Sequence, residues 1–281
     1  MKRPLNALIA AATMTVPLAL SLGSLPCHAA AANFGAANPF YEPSALPFQA
    51  PPFDRIKDED YQPAIEAGMA EQLAEIGRIA DDPAPPTFVN TFVAMERSGR
   101  LLDRALSAFR GVSEADTNPA LQSAKSALAP KLAAHDDAIH LNKKLFERIA
   151  AVYEKRATLK LDPESLRLIE VTYDEFVHAG ANLSDADKAQ LEKMNEEAST
   201  LSNDFSNKLL DATKSAAYST SDRAALAGFS DAQLAAAAQT AKARGTPGYL
   251  IPLQNTTQQP ALASLSVRAT REAGRCRRAR S

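Results

Sequence analysis

From Asp60 to about Thr220 apolar residues return at intervals of three and four, and no stretch of comparable length alternates. A period near 3.6 puts one apolar stripe on each helix and leaves little chain for strands, so the sequence specifies a mainly α fold. In PTFVNTFVAMERSGRLLDRALSAF the stripe runs Phe88, Phe92, Met95, Leu102, Leu106 and Phe109, with Thr87 placed to cap it. In LSDADKAQLEKMNEEASTLSNDFSNKLL it runs Leu191, Met194, Ala198, Leu201, Phe205 and Leu209, behind Ser184 and Asp187 at capping-box spacing. Asp162 followed by Pro163 opens a helix through Leu166, Ile169 and Phe176 to Gly180. Residues 118–155 are apolar at helical spacing too, with Pro130 marking a kink or a join. The simplest role for each stripe is core.

Prolines bound this body at its front. Pro39, Pro43, Pro47, Pro51 and Pro52 forbid regular helix or interior strand between Asn33 and Phe53. Phe40, Tyr41, Phe48 and Phe53 among them imply an extended arm laid on the surface and anchored by aromatics, with a disordered linker as the alternative. Near the other end Ser230 caps an alanine-rich helix that runs to Ala243 and is closed by Gly245. The following GTPGYLIPLQ contains the one convincing strand, Tyr249 to Gln254. An isolated strand leaves its backbone groups unpaired, so this one is expected to find its partners in sequence outside the chain.

Lys2 and Arg3 precede an apolar run from about Leu5 to Leu22, and small residues follow from Cys27 to Ala32. That order is a secretory signal peptide, cleaved after Ala29 or one of the next alanines. A membrane anchor needs about 20 unbroken apolar residues, and Asn6, Thr13, Thr15 and Pro17 interrupt this run; Leu25-Pro26 disfavours a lipid anchor at Cys27. The expected location is therefore outside the cytoplasm, in the periplasm of a Gram-negative cell, with no membrane attachment after cleavage. Cys27 leaves with the signal and Cys276 remains alone, which excludes an internal disulfide. Formal charge is −2; Arg268 to Ser281 contributes +5 through six Arg and Glu272, so residues 1–267 carry −7. A body of that sign is not expected to bind nucleic acid by itself, so any case for it rests on the tail, and no nucleic acid partner is expected.

A search for chemistry finds no constellation. His135 and His140 in HDDAIH lie five apart, about 140° around a helix, so they do not share a face and each is expected to be solvated or capping. His28 leaves with the signal, and His178 has no H-E-x-x-H around it. There is no G-x-S-x-G elbow and no phosphate loop, and Cys276 sits in a tail of unstructured character. The pairs Glu196-Glu197 and Asp136-Asp137 read as solvated faces. No catalytic residue, metal ligand or substrate-binding residue can be assigned, and no cofactor is expected in this chain.

Several segments nevertheless stand in one order: NPFYEPSALPFQAPPFDRIKDEDYQPAIEAGM, PTFVNTFVAMERSGRLL, APKLAAHDDAIHLNKKLF, GANLSDADKAQLEKMNEEASTLSNDFSNKLL and PLQNTTQQPALASL. Together, from about Asn38 to about Arg271, they resemble the thimet oligopeptidase-like zinc metallopeptidases, in the branch of bacterial peptidyl-dipeptidases and oligopeptidase A. The resemblance implies the multi-helix N-terminal domain of a two-lobed, channel-type metallopeptidase, in which the other half holds zinc through H-E-x-x-H and a further Glu. The Glu between the histidines activates the zinc-bound water there. None of those residues has a counterpart here, so none is carried over; zinc is implied for the full-length family alone. Short peptides are the implied ligands, and the lobe is expected to be inactive by itself and to self-associate through exposed surface. The alternative is a non-enzymatic helical module that binds peptides or a partner.

The expected organisation is a signal peptide at 1–29, a Pro/Ala-rich extended arm at 30–57, a helical peptidase lobe at 58–271 and an Arg-rich tail at 272–281. That tail lacks apolar periodicity and is read as out of frame, since GC-rich codons in a wrong frame yield Arg, Ala and Gly. A genuine basic tail is the alternative. On the first reading the chain is a truncated precursor.

Overall fold

The acidic run Asp58, Glu59, Asp60 sits at the N-terminus of helix α1 (Asp58–Ala80), where negative side chains meet the positive end of the helix dipole. The Lys57 N–H donates to Asp60 Oδ2 at 2.8 Å and fixes that start. The computed structural model describes residues 34–276; the signal segment 1–29 and the last five residues of the Arg-rich tail lie outside them. Among the described residues the protein is mainly α, and no helix is long and apolar enough to cross a membrane.

The first core joins α1 to α3 (Arg100–Ala115) and α4 (Pro119–His140) around Ile65, Leu102, Phe109, Leu121 and Leu128. Gly68 lets α1 and α3 approach: a Cβ there would lie 2.6 Å from the Leu102 Cα and N. The second core lies further along α1, where Ile76 meets Phe92, Ile139, Leu145, Ile149, Ile169 and Phe176. It is closed by α5 (Lys143–Lys155) and α6 (Pro163–His178). Arg148 of α5, only 6% exposed, donates through Nη1 to the carbonyls of Asp82 and Ala84 at 2.8 and 3.0 Å, pinning the connection after α1.

The stripe from Phe88 to Phe109 is not one helix. A π-helical turn (Val89–Val93) runs into α2 (Ala94–Glu96), and the chain breaks before α3 at Gly99, whose φ of 71° only glycine adopts freely. The Gly99 N–H donates to Glu75 Oε2 at 2.7 Å. Phe92 thus enters the second core while Leu102 and Phe109 enter the first. Thr87 does cap, accepting from the Asn90 N–H at 3.1 Å. Pro130 leaves α4 unbroken; the join falls at Leu141 and Asn142, whose Oδ1 caps α5 by accepting from the Leu145 N–H. Asp162 caps α6 as its Asp-Pro signature predicts.

The largest departure concerns α7 (Asp185–Ser215). Ser184 caps it, accepting from the Asp187 N–H at 3.2 Å. Yet Met194, Leu201, Phe205 and Leu209 are all more than half exposed. The face turned to α4 is polar: Asn195 Nδ2 donates to Asp137 Oδ1 at 2.7 Å, Ser199 Oγ to the Ala129 carbonyl at 2.8 Å, and Asn203 Nδ2 to Ser126 Oγ at 2.9 Å. Periodicity reports that a stripe exists, not what covers it.

The strand near the C-terminus is not alone. Strand β1 (Ala217–Thr220) pairs antiparallel with β2 (Tyr249–Pro252), with Ala217 opposite Pro252 and Thr220 opposite Tyr249. The partner is the four-residue AYST directly after α7, too short and too polar to show alternation. Around this ribbon α8 (Asp231–Ala243) and α9 (Asn255–Ser264) build a third core with Leu226, Ala237, Ile251, Ala261 and Leu265, and α10 (Arg268–Cys276) packs on α9 and β1. Helix α10 runs through the expected boundary at 271/272. Thr270 and Gly274 face inward, and Gln258 Nε2 donates to the Gly274 carbonyl at 2.8 Å; a buried face made of Thr and Gly gives no apolar period. In the arm Phe40 is the anchor, buried against Tyr61 and held by Arg104 at its carbonyl, whereas Tyr41, Phe48 and Phe53 are exposed.

Candidate functional site

A cleft of about 500 Å³ opens between α1, α3, α4 and α6. Ile76, Leu106, Leu132 and Phe176 make its apolar walls, and Glu96, Arg110 and Glu175 bring charges of both signs to it. Helix α4 supplies His135, Asp136 and His140, all in the HDDAIH segment.

Both histidines border this one cleft, contrary to the expectation from their spacing, because a cleft walled by four helices spans the arc of about 140° between them. His140 Nδ1 lies 3.2 Å from Asp136 Oδ1 and 3.0 Å from the Asp136 carbonyl oxygen, and its ring sits 4.8 Å from that of Phe176. The hydrogen bond to Asp136 raises the His140 pKa above the ordinary imidazole value against the opposing effect of burial, with the charges of Asp136 and Glu175 adding to the rise. The same bond lowers the Asp136 carboxyl. His135 is buried rather than solvated, and burial lowers its pKa; its Nε2 has no hydrogen-bond partner.

Asp137 also departs from the solvated face expected of it. It is 6% exposed and points to α7, where burial raises its pKa against the bond from Asn195. Glu196 and Glu197 are exposed, as expected. His178 borders a neighbouring pocket of about 300 Å³ with Asp136, Asp137 and Asn195, not the main cleft.

These residues do not fit a catalytic zinc. Among the described residues no group of three or more His, Cys, Asp or Glu could hold a metal. A groove lined about equally by polar and apolar side chains, with charges of both signs, is instead suited to holding a small or extended ligand. Sequence reasoning missed the cleft because Glu96, Arg110 and Glu175 belong to separate helices; only HDDAIH was a local signal.

No family model matches the chain. Among curated proteins it is 47% identical over 236 residues to the dipeptidyl carboxypeptidase of Escherichia coli (strain K12), an alignment covering 84% of this chain and 35% of that protein. It is 46% identical over 236 residues to the dipeptidyl carboxypeptidase of Salmonella typhimurium, again 84% and 35%. Oligopeptidase A of Escherichia coli is 24% identical over 230 residues, 82% of this chain and 34% of that protein. The chain therefore spans about a third of the length of the curated relatives it matches.

Proposed function

We propose that this chain, which matches the thimet oligopeptidase-like peptidases over most of its length, forms the substrate-channel lobe of an exported peptidyl-dipeptidase-like zinc peptidase. The observation that carries the reading is the 47% identity over 236 residues to a dipeptidyl carboxypeptidase, against 24% to an oligopeptidase A. That difference favours the dipeptide-releasing branch, and the Lys2-Arg3 apolar leader supports export to the periplasm. Residues 58–271 are proposed as the lobe, 30–57 as the arm laid in front of it and 272–281 as an appended tail. Short peptides are the ligand class, consistent with a cleft of mixed polar and apolar lining that bears His140, Arg110 and Glu175.

The chain is proposed to lack hydrolytic activity by itself. Its sequence contains no H-E-x-x-H, the motif through which this family is expected to hold zinc, and peptide hydrolysis of that kind needs a metal-activated water. The test is a titration of purified chain with a fluorescent short peptide, alongside zinc analysis and an assay for dipeptide release. Saturable binding without turnover supports the reading. One equivalent of zinc with dipeptide release would overturn the inactivity, and no binding at all would overturn the substrate-lobe assignment.

A further inference from the structure

Met194, Leu201, Phe205 and Leu209 of α7 are 57%, 59%, 67% and 56% exposed. With Ala198 they lie within about 40° of a line through Phe205, at 100° of rotation per residue. Asn195, Ser199, Asn203 and Asn207, on the side facing α4, lie about 80 to 200° away on the same geometry. The stripe is about 22 Å long. Four of the ten exposed large apolar side chains among the described residues lie on this one stripe.

We propose that this stripe is covered by the same stripe of a second copy, the two α7 helices running antiparallel about a two-fold axis near Ser202. The argument is self-complementarity of size and charge. An axis there sets Met194 opposite Leu209 of the second copy, and the small Ala198 opposite the large Phe205. Along one edge it sets Lys193 opposite Asp211 and Glu197 opposite Lys208, each pairing made twice because a two-fold interface is isologous. Asp204, the remaining charge on that edge, meets Thr200, while the other edge offers the uncharged Ser202, Ser206 and Thr213. A parallel pair would instead face the charged edge with serine and asparagine, and set Ala198 on Ala198 beside Phe205 on Phe205. Lys193, Glu197, Lys208 and Asp211 take part in no ion pair among the described residues, so they are available for this role. The pairing stands on α7 alone and does not depend on peptide binding.

Sedimentation velocity of the full chain over a range of concentration and salt tests it, with far-UV circular dichroism to show that the exposed-site variants stay folded. A concentration-dependent dimer that weakens at high salt is expected. Phe205→Lys should weaken dimerisation by about tenfold or more, and Lys208→Glu should weaken it by setting two acids against each other. The double variant Glu197→Lys/Lys208→Glu should restore the dimer to within about twofold, since it reverses both ends of the same pairs. A wild-type chain that stays monomeric at every concentration, or a dimer indifferent to Phe205→Lys, would overturn the proposal. So would a double variant no stronger than Lys208→Glu, which would assign the stripe to a partner of different sequence.

Discussion

The seam between α1 and α3 and the seam between α4 and α7 are both long helix contacts, but they are held by opposite chemistry. In the first, Ala64, Ile65 and Met69 meet Leu101, Leu102, Ala105 and Phe109, all nearly or completely buried. In the second, Asn195, Ser199 and Asn203 bond to Asp137, Ala129 and Ser126, and the buried Lys188 donates to the Leu141 carbonyl at 3.1 Å. Apolar burial gains directly from the release of water, at roughly 25 cal/mol per Å². A hydrogen bond exchanges one made to water and nets only about 1 kcal/mol. The apolar seam therefore supplies stability, whereas the polar seam fixes the register of α7 and keeps its apolar stripe turned outward.

Substitutions can break or sharpen this contrast. Ile65→Ala, in a completely buried position, should cost about 2–5 kcal/mol in denaturant unfolding through lost burial and a residual cavity; a loss under about 1 kcal/mol would deny the apolar seam its role. Asn195→Ala leaves the buried Asp137 carboxylate without the donor, and about 1.5–3 kcal/mol is expected. The third effect is one of pH. His140 is bound better as the cation by Asp136, with Glu175 adding to the attraction and Arg110 also lining the cleft. Its folded pKa is raised, so its contribution is fully present below the ordinary imidazole value and lost as pH rises through the raised one. The neighbouring His135, lowered by burial, contributes stability above the ordinary value that is lost as pH falls through its lowered one. His140→Gln should therefore remove the stability loss on the alkaline side and the part of the acid-side loss that Asp136 owes to its bond with His140, while the acid-side loss from His135, which burial mainly causes, remains, as thermal melts across pH would show. The smallest effect is expected from Leu201→Ala, within about 0.5 kcal/mol when measured on dilute chain, because its side chain is already 59% exposed.

The sequence was most readable where a local group fixes a local event. Asp162 with Pro163, Ser184 and Ser230 each mark a helix start that the structure reproduces, since a cap bonds to backbone within three residues. It misled where a pattern's meaning depends on something distant. The α7 stripe matches core periodicity, yet its polar face is the one that found a partner. The stripe from Phe88 to Phe109 keeps one period throughout, but a left-handed Gly99 sends its two halves to different cores. Tyr41, Phe48 and Phe53 implied anchors, yet all three are exposed and Phe40, seated by Asn38 and Arg104, is the one of the four that is buried. The cleft could not be read at all beyond HDDAIH, because its charged groups converge only after four helices have packed.

The β1–β2 ribbon has a consequence for the order of assembly. Helix α7 is built from bonds four residues apart, so it can form as soon as its own residues are free to fold. Its last turn runs straight into β1, whose partner arrives only after residues 221–248. Closing that span sacrifices chain entropy that grows with the logarithm of its length, and the ribbon has few bonds of its own to offset the loss. Formation of α8, which shortens the span and brings Ala237 against Ile251, is therefore expected to precede or accompany zipping. The far end of a finished rod would wait, as a waypoint in folding, for Leu250 and Ile251 to come back to it.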